Sequence, residues 1–422
     1  MKKLYLEELL VCRSILNDSL VQKLSASLAD PENIALSSDF AGSLIEKAEN
    51  EGWSGNLIRS LFLHLLSQEG SLAAQMTESS QGCIGKSLWQ AFIKDMTVLL
   101  PVFNQTASSI IPISLLDNYQ PTLPTTSEST KYLEAQLQDK TTPEDITEAF
   151  LAFYNRYGYG EIAGHQAFCW DEKRKKLVGI KHFEAMIFDD IIGYNRQKTQ
   201  LISNTEAFIN NRPANNVLLV GSRGTGKSSG VKALARTYYS VGLRLVQMTK
   251  SQLEDLPVIM STLRKYASKK FIIFFDDLSF EESDSQYKYL KSAIEGGVES
   301  RPDNVLIYAT SNRRHLIKET WRDRADGQDE LFRNDSINET ISLSDRFGLV
   351  ITYLEPTQDE YLDIIDHFLK KEGITLDREE LRVLGHRWNL EHSGRSGRSA
   401  RQFVTHYLGS EEKPTYTRTV QE

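Results

Sequence analysis

The sequence has no excess of positive charge: 49 lysine and arginine residues stand against 57 aspartate and glutamate residues, which gives a net charge of −8. Without an overall basic field, the composition offers no argument for non-specific nucleic-acid binding, although a local basic patch could still support it. Long apolar runs are also missing, and even the run at residues 96–103 is short and contains Pro101. We therefore expect no membrane-spanning segment.

Cysteine is scarce as well, with three residues in a chain of 422. Cys12, Cys83 and Cys169 are far apart in sequence and match neither metal-ligand spacing nor an even-numbered disulfide framework. This pattern favours buried thiols in a reducing compartment. The first residues include two lysines, but Glu7 and Glu8 interrupt the apolar stretch that a signal peptide requires. We expect a soluble cytoplasmic protein of two or three domains.

The most informative segment is residues 216–229, which read Asn-Val-Leu-Leu-Val-Gly-Ser-Arg-Gly-Thr-Gly-Lys-Ser-Ser. An apolar run leads into a glycine-rich loop, and the residues after the loop return to helical spacing of apolar positions. This order of strand, loop and helix predicts a phosphate-binding loop. Its candidate binding residues are Gly221, Ser222, Arg223, Gly224, Thr225, Gly226, Lys227, Ser228 and Ser229.

The chemistry of phosphate binding explains the residue types in this loop. Glycines allow backbone N–H groups to turn toward phosphate oxygens, and the following helix directs its positive N-terminal end at them. Lys227 is expected to neutralise the β- and γ-phosphates, and Ser228 is expected to ligate Mg²⁺. A glycine-rich turn before an ordinary helix is the alternative, and the complete pattern argues against it.

A second apolar run, at residues 271–275, ends in Asp276 and Asp277 and forms a Walker B pattern. A buried parallel strand of this kind delivers its carboxylates to the carboxyl edge of a sheet, where ligands of open α/β sheets bind. Asp276 is expected to hold Mg²⁺ through water. Asp277 is expected to orient or deprotonate the attacking water.

Two further segments are expected to approach the nucleotide. Asn312 ends the apolar run at residues 304–312 and is placed to sense the γ-phosphate or the water, although asparagine is also a common turn residue. Ahead of the loop, residues 188–194 look like an adenine-contacting segment, with Ile192 and Gly193 as the candidate contacts.

Arginines near the end of the chain are the remaining candidates for phosphate contacts. Arg346 precedes an apolar strand at residues 349–354 and could reach the nucleotide of a neighbouring subunit, with a surface salt bridge as the alternative. Arg395, Arg398 and Arg401 recur at three-residue spacing at the start of the last predicted helix. Side chains at this spacing lie near one face, so one can point at phosphate while the others stay solvated.

The residues around the loop complete the organisation of the chain. Apolar positions at helical spacing extend to about residue 116, and a linker rich in proline, serine and threonine follows at residues 117–130. A β-hairpin is predicted at residues 167–180, with basic residues 173–176 at its tip. That tip could contact nucleic acid, but a solvated turn is the simpler interpretation. Residues 315–338 are highly charged, which predicts a surface insertion.

In their order along the chain, these segments resemble the AAA+ ATPases. This resemblance covers about residues 183–408. More closely, the segments resemble the bacterial AAA+ family catalogued as domain of unknown function eight-one-five, and the N-terminal helices and the hairpin with Trp170 resemble the N-terminal region of that family. The stretches that carry this resemblance are Gly-Ser-Arg-Gly-Thr-Gly-Lys-Ser-Ser at 221–229, Phe-Asp-Asp-Leu-Ser-Phe-Glu at 275–281, the run at 301–314 and Ser-Leu-Ser-Asp-Arg-Phe-Gly at 342–348.

The resemblance implies an α/β fold, with an AAA+ P-loop NTPase core built on a parallel sheet. A helical N-terminal domain would precede this core and a small helical lid would follow it. The expected domains are residues 1–182, which include the linker and the hairpin, then 183–354 for the core, 355–409 for the lid and 410–422 for a flexible tail.

The resemblance also implies residue roles: Lys227 and Ser228 for phosphate and Mg²⁺, Asp276 for Mg²⁺, Asn312 as sensor 1, Arg346 as arginine finger and Arg398 as sensor 2. Arg395 and Arg401 compete with Arg398 for the last role. Most AAA+ members carry Asp-Glu in Walker B, whereas this chain has Asp276 and Asp277. Three alternatives follow from this difference: Asp277 activates water, Glu281 activates water, or hydrolysis is slow.

The leading interpretation is an ATP hydrolase with ATP and Mg²⁺ as ligands. It would work as a homo-oligomeric ring, such as a hexamer, and couple hydrolysis to motion between subunits and lid. The alternative is a nucleotide-gated scaffold or loader with slow turnover, which could be associated with DNA. The motifs do not identify the protein partner or the substrate.

Overall fold

The computed structural model describes residues 4–183, 186–280, 284–295, 301–312, 316, 343–392 and 394–410. The described chain has three parts: a helical N-terminal region, a seven-stranded sheet with helices around it, and a small helical lid. The predicted insertion at residues 315–338 lies, apart from Leu316, outside the described residues. Glu281 and the tail beyond Ser410 also lie outside them.

Capping residues explain where several N-terminal helices begin. The Asp18 side chain accepts hydrogen bonds from the backbone of Leu20 and Val21, and Thr142 caps a helix that starts at Pro143. The apolar faces of these helices form one core. The helices are α1 (Ser19–Ala29), α2 (Ile34–Glu51), α3 (Leu57–Gln68), α4 (Leu72–Ser79), α5 (Lys86–Asn104), α6 (Ala107–Ile110), α7 (Glu128–Gln136), α8 (Pro143–Tyr157) and α9 (Glu161–Gly164).

The described strands form a single sheet. They are β1 (Ala167–Asp171), β2 (Lys176–Gly179), β3 (Val217–Gly221), β4 (Leu243–Met248), β5 (Lys270–Phe275), β6 (Val305–Ser311) and β7 (Leu349–Tyr353). The strand order is β2-β1-β4-β5-β6-β3-β7, and every neighbouring pair is parallel except β1 and β2. Because β3, β5 and β6 run in the same direction, their carboxyl ends meet at one edge of the sheet.

The predicted hairpin at residues 167–180 is present as β1 and β2, and it belongs to the central sheet. β1 pairs in parallel with β4, where Phe168 lies opposite Val246. The local pattern of the hairpin gives no sign of a partner strand so distant in sequence, so the sequence alone places the hairpin with the helical N-terminal domain. The hairpin instead extends one edge of the sheet.

Further helices pack around the sheet and form the lid. The helices of the core are α10 (Asn195–Ile209), α11 (Lys227–Thr237), α12 (Leu256–Arg264) and α13 (Tyr287–Glu295), and those of the lid are α14 (Gln358–Lys371), α15 (Arg378–Glu391) and α16 (Gly397–Gly409). The lid has its own apolar core, which includes Phe368, Leu384 and Phe403. The predicted fold class, an AAA+ P-loop core between a helical N-terminal part and a helical lid, is confirmed. None of the described helices is long and apolar enough to cross a membrane.

A buried arginine joins the helical region to the sheet. Arg244 on β4 is completely buried, and its guanidinium donates hydrogen bonds to the backbone oxygens of Tyr157 and Ile162, both at 2.9 Å. The guanidinium carbon lies 4.2 Å from the ring centroid of Tyr239. Burial lowers the pKa of Arg244 to about 10. The side chain therefore stays charged at neutral pH and fixes the end of α8 against β4.

Candidate functional site

The loop after β3 takes a backbone path that favours glycine at three positions. Gly221, Gly224 and Gly226 have φ angles of +134°, +73° and +89°. At Gly221 a Cβ atom would also lie 1.8 Å from the carbonyl oxygen of Tyr353 on β7. The glycines of the predicted phosphate loop are thus required by its geometry.

Lys227, the first residue of α11, is the cation of this loop. Its Nζ atom donates hydrogen bonds to the carbonyl oxygens of Gly221 at 2.7 Å and Ser222 at 2.6 Å. Burial lowers the pKa of Lys227, while the charges of Asp277 and Asp276 act in the opposite direction. The ammonium group is therefore held by two carbonyl oxygens of the loop, and it also donates to Oδ1 of Asn312 at 3.4 Å.

The end of β5 brings Asp276 to the start of α11. Ser228 donates a hydrogen bond from Oγ to Oδ1 of Asp276 at 2.5 Å. The same carboxylate oxygen accepts a hydrogen bond at 2.7 Å from Oγ1 of Thr310, near the end of β6. Ser228 and Asp276 are distant in sequence. The fold therefore brings into contact the two side-chain oxygens that are predicted to hold a metal ion.

Asp277 follows with a left-handed backbone, at a φ angle of +54°. Its N–H donates a hydrogen bond to Oγ1 of Thr310 at 2.9 Å, and its Oδ1 atom accepts one from Nδ2 of Asn312 at 2.5 Å. Aspartate tolerates this conformation better than most residues because its short polar side chain can form local hydrogen bonds. The carboxylate predicted to activate water thus lies beside the amide predicted to sense phosphate.

These residues surround a cavity of about 900 Å³, a volume within the range of small-molecule and cofactor sites. Gly221 and Ser222 do not line it, although their carbonyl oxygens hold Lys227. Gly193 does not line it either, although its neighbour Ile192 does. The other predicted residues on the cavity wall are Arg223, Gly224, Thr225, Gly226, Lys227, Ser228, Ser229, Asp276, Asp277, Asn312 and Arg398.

One wall of the cavity is apolar and comes from two segments that are distant in sequence. Met186 and Ile192 precede α10, while Ile364 and Phe368 lie on α14 of the lid. All four side chains belong to the lid core or pack against it. Ile192 is among the residues predicted from the sequence, whereas the two lid residues are not, because the apolar spacing of α14 is typical of ordinary core packing.

The three arginines at the start of α16 have different surroundings. Arg398 and Arg401 line the cavity, and the guanidinium carbon of Arg401 lies 5.1 Å from the ring centroid of Phe368. Arg395 instead faces Glu355, with 3.8 Å between its Nε atom and Oε1. Arg398 and Arg401 thus remain the candidates for contact with phosphate from the lid.

The lid contacts the phosphate loop and the segment before α10. The N–H of Gly397, at the start of α16, donates a hydrogen bond to the carbonyl oxygen of Gly224 at 2.9 Å. Lys371 on α14 donates one to Asp190 at 2.7 Å. Although burial acts to raise the pKa of Asp190, hydrogen bonds from Lys371 and His367 bring it below its usual value. These contacts hold the lid against the loop.

Arg346 lies away from this cavity. It forms an ion pair with Glu295 at the end of α13 and is not among the residues that line the cavity. Its Nη1 atom is buried and has no hydrogen-bond partner within the described part of the chain. This position is compatible with both sequence interpretations, a contact to a neighbouring subunit and a salt bridge.

Solved structures of RuvB from Thermotoga maritima are similar to part of the chain. The Holliday junction branch migration motor shows 16% sequence identity and a TM-score of 0.38, over 54% of this chain and 65% of that chain. An arginine-to-alanine variant of the same protein gives the same identity and TM-score, over 54% of this chain and 66% of that chain. The similarity therefore spans less than two thirds of the RuvB chain.

No curated protein matches this chain in sequence. One family model matches residues 163–411, which is more than half of the chain, and its description is protein of unknown function (DUF815). This match includes β1, the phosphate loop, both aspartates and the lid. The chain thus belongs to the DUF815 family.

Proposed function

We propose that this protein binds ATP together with Mg²⁺ and hydrolyses it. The observation that carries the proposal is the contact between Ser228 and Asp276, which joins the phosphate loop to the end of β5. A hydroxyl that follows the loop lysine and an aspartate that ends a Walker B strand are the protein groups that hold Mg²⁺ in P-loop NTPases.

The residues around this contact suit both ligands. Mg²⁺ prefers oxygen ligands and keeps several waters, so a hydroxyl and one carboxylate are a sufficient protein contribution beside phosphate oxygens. Backbone N–H groups at the start of α11 and the ammonium of Lys227 would meet the phosphates. When bound, Mg²⁺ would neutralise charge that develops on the transferred phosphoryl group.

The other groups of the cavity would act on phosphate and water. Lys227 would exchange the loop carbonyl oxygens for oxygens of the β- and γ-phosphates. Asp277 would orient the attacking water or accept its proton, and Asn312 would contact the water or the γ-phosphate. Arg398 or Arg401 would reach phosphate from the lid, so that the position of the lid depends on the nucleotide.

The test compares two lysine variants of α11 in the full chain. Lys227 lines the cavity, whereas Lys232 on the same helix does not. We expect Lys227→Ala to weaken binding of a fluorescent ATP analogue by about tenfold or more, because a hydrogen bond to a charged group is lost. Lys232→Ala should bind as the wild type does and release phosphate at the same rate. A wild-type protein that binds no adenine nucleotide would overturn the proposal.

We further propose a homo-oligomeric ring, for example a hexamer, in which Arg346 completes the site of the next subunit. Support comes from its position outside its own cavity and from its Nη1 atom, which has no hydrogen-bond partner among the residues that the structure describes. Mixing inactive Lys227→Ala subunits with inactive Arg346→Ala subunits should restore part of the activity. No restoration, combined with full activity of isolated wild-type monomers, would refute the shared site.

A nucleotide-gated scaffold or loader with slow turnover is the second candidate. The hydrogen bond between Asn312 and Asp277 favours it, because this bond occupies one oxygen of the carboxylate that would activate water. Steady-state phosphate release separates the two candidates. Rapid turnover that Asp277→Asn leaves unchanged would remove the basis of the slow alternative.

Association with DNA has weaker support. At the tip of the hairpin, Lys175 pairs with Asp255 at 2.6 Å and Arg174 with Asp171 at 3.8 Å, which neutralises part of the basic cluster. Binding that weakens steeply as salt increases would be the expected sign of such a role. The absence of binding at low salt would exclude it.

A further inference from the structure

We infer that Thr310 is a positioning residue for hydrolysis, whose hydroxyl orients both acidic residues of the site. This inference rests on the proposed ATPase function. Thr310 lies near the end of β6 and is 2% exposed. Its sequence context predicts no role for it, because a threonine in a buried strand is typical of ordinary sheet packing.

One hydroxyl group makes two directional contacts. Its oxygen accepts a hydrogen bond from the N–H of Asp277 at 2.9 Å, and its proton is donated to Oδ1 of Asp276 at 2.7 Å. Because a hydroxyl has a single proton, donation to the carboxylate leaves only lone pairs for the backbone N–H. The two contacts are therefore compatible, and they fix the direction of the hydroxyl.

The contact with Asp276 determines where its carboxylate points. The Oδ1 atom that Thr310 contacts is the same atom that accepts the hydrogen bond from Ser228 at 2.5 Å. A hydrogen bond to an ionised group is stronger and more directional than one between neutral groups. Thr310 thus holds this oxygen beside the hydroxyl that is proposed to share Mg²⁺ with it.

The contact with Asp277 supports an unusual backbone conformation. A non-glycine residue with a positive φ angle persists only where its surroundings hold it. The Thr310 hydroxyl binds the N–H of Asp277, and the Thr310 carbonyl oxygen accepts a hydrogen bond from the N–H of Leu278 at 2.7 Å. One residue of β6 thereby fixes the three consecutive residues that follow β5, including the carboxylate proposed to act on water.

Thr310→Val removes the hydroxyl group and so tests its contribution apart from that of the rest of the residue. Valine has nearly the same shape and keeps the backbone bond to Leu278, so the fold should persist. Groups that orient metal ligands from outside the coordination sphere commonly change metal affinity or activity by about 10- to 100-fold. We expect Thr310→Val to lower kcat within this range and to raise the Mg²⁺ concentration needed for half-maximal activity.

Two further variants distinguish positioning from packing. Thr310→Ser keeps the hydroxyl and should restore most of the rate and the wild-type Mg²⁺ dependence. Thr205→Val removes another buried hydroxyl, which bonds to the carbonyl oxygen of Leu201 and the hydroxyl of Tyr308 and does not line the cavity. It should lower thermal stability without changing the Mg²⁺ dependence.

The experiment measures phosphate release and binding of a fluorescent ATP analogue, each as a function of Mg²⁺ concentration, together with thermal unfolding of every variant. Equal Mg²⁺ dependence and kcat in wild type and Thr310→Val would overturn this inference alone. Thr310→Ser as impaired as Thr310→Val would also overturn it, because only packing would then matter. A wild type that binds no nucleotide would overturn the proposed function and this inference with it.

Discussion

The ammonium group of Lys269 lies 2.6 Å from the carboxylate of Glu78, and both side chains are completely buried. Glu78 is on α4 of the helical region, and Lys269 directly precedes β5. Lys269 also donates hydrogen bonds to the backbone oxygens of Tyr154 at 3.0 Å and Asn155 at 2.8 Å. Burial lowers the pKa of Lys269 to about 8, against the opposing effect of Glu78. The charged pair thus joins the helical region to the sheet.

Replacement of Lys269 by methionine should strongly destabilise the protein. The change leaves the Glu78 carboxylate buried without its partner, which typically costs about 3–5 kcal/mol. Urea unfolding of the full chain, followed by tryptophan fluorescence, measures the loss. Lys265→Met is the matched control, because Lys265 is exposed at the end of α12.

Removal of both charges should be tolerated better than removal of one. Apolar pairs of similar volume can replace buried ion pairs at little cost, so Glu78→Leu combined with Lys269→Met should recover much of the lost stability. A single Lys269→Met variant as stable as the Lys265→Met control would contradict this view of the pair.

The three cysteines should differ in their reaction with a chromogenic thiol reagent. Burial raises the pKa of the Cys12 thiol, and the charge of Asp95 raises it further, whereas Cys83 and Cys169 are exposed. Because the thiolate is the reactive form, we expect two thiols to react in the native protein and the third only after denaturation. The sequence expectation of buried thiols is therefore wrong for two of the three. A Cys12→Ser variant that loses a fast-reacting thiol would contradict the prediction.

The parts of the site that could be predicted are those in which one short segment carries the chemistry. The phosphate loop needs glycine where φ is positive, and these positions fall within a single stretch, residues 221–226. Asp276 and Asp277 end an apolar run, which is enough to place them at the carboxyl edge of a parallel sheet. Such patterns can be recognised without the tertiary structure, because all of their residues are neighbours in sequence.

The remaining parts depend on contacts between distant segments. The role inferred for Thr310 follows from the positions of Asp276 and Asp277 directly after another strand, β5, and no local pattern predicts it. The spacing of Arg395, Arg398 and Arg401 could not rank them either, whereas Glu355 near Arg395 draws that residue away from the cavity. The position of the hairpin at the edge of the sheet could not be predicted for the same reason, since strand order depends on contacts throughout the sheet.

Replacement of Gly397 by a residue that has a side chain should weaken nucleotide binding. Its Cβ atom would lie 3.2 Å from the carbonyl oxygen of Gly224, which is also the acceptor of the Gly397 N–H. We expect Gly397→Val to move the lid away from the loop and to lower affinity for a fluorescent ATP analogue by about tenfold, comparable to the loss of one hydrogen bond. Gly409→Val is the control, because a Cβ there meets no described atom within 4 Å. Equal affinities of the two variants would show that the contact does not support the site.

Asp277→Glu should not accelerate hydrolysis, although most members of the AAA+ family carry glutamate at this position. The backbone of Asp277 is left-handed, a conformation that costs most residues about 1–2 kcal/mol and aspartate less. The longer side chain would also displace the carboxylate from the amide of Asn312, which now lies 2.5 Å away. We expect unfolding at a lower temperature and turnover no higher than that of the wild type. Asp277→Asn, which tolerates the same backbone, should unfold as the wild type does while losing turnover. A faster Asp277→Glu enzyme of unchanged stability would show that the backbone does not select aspartate here.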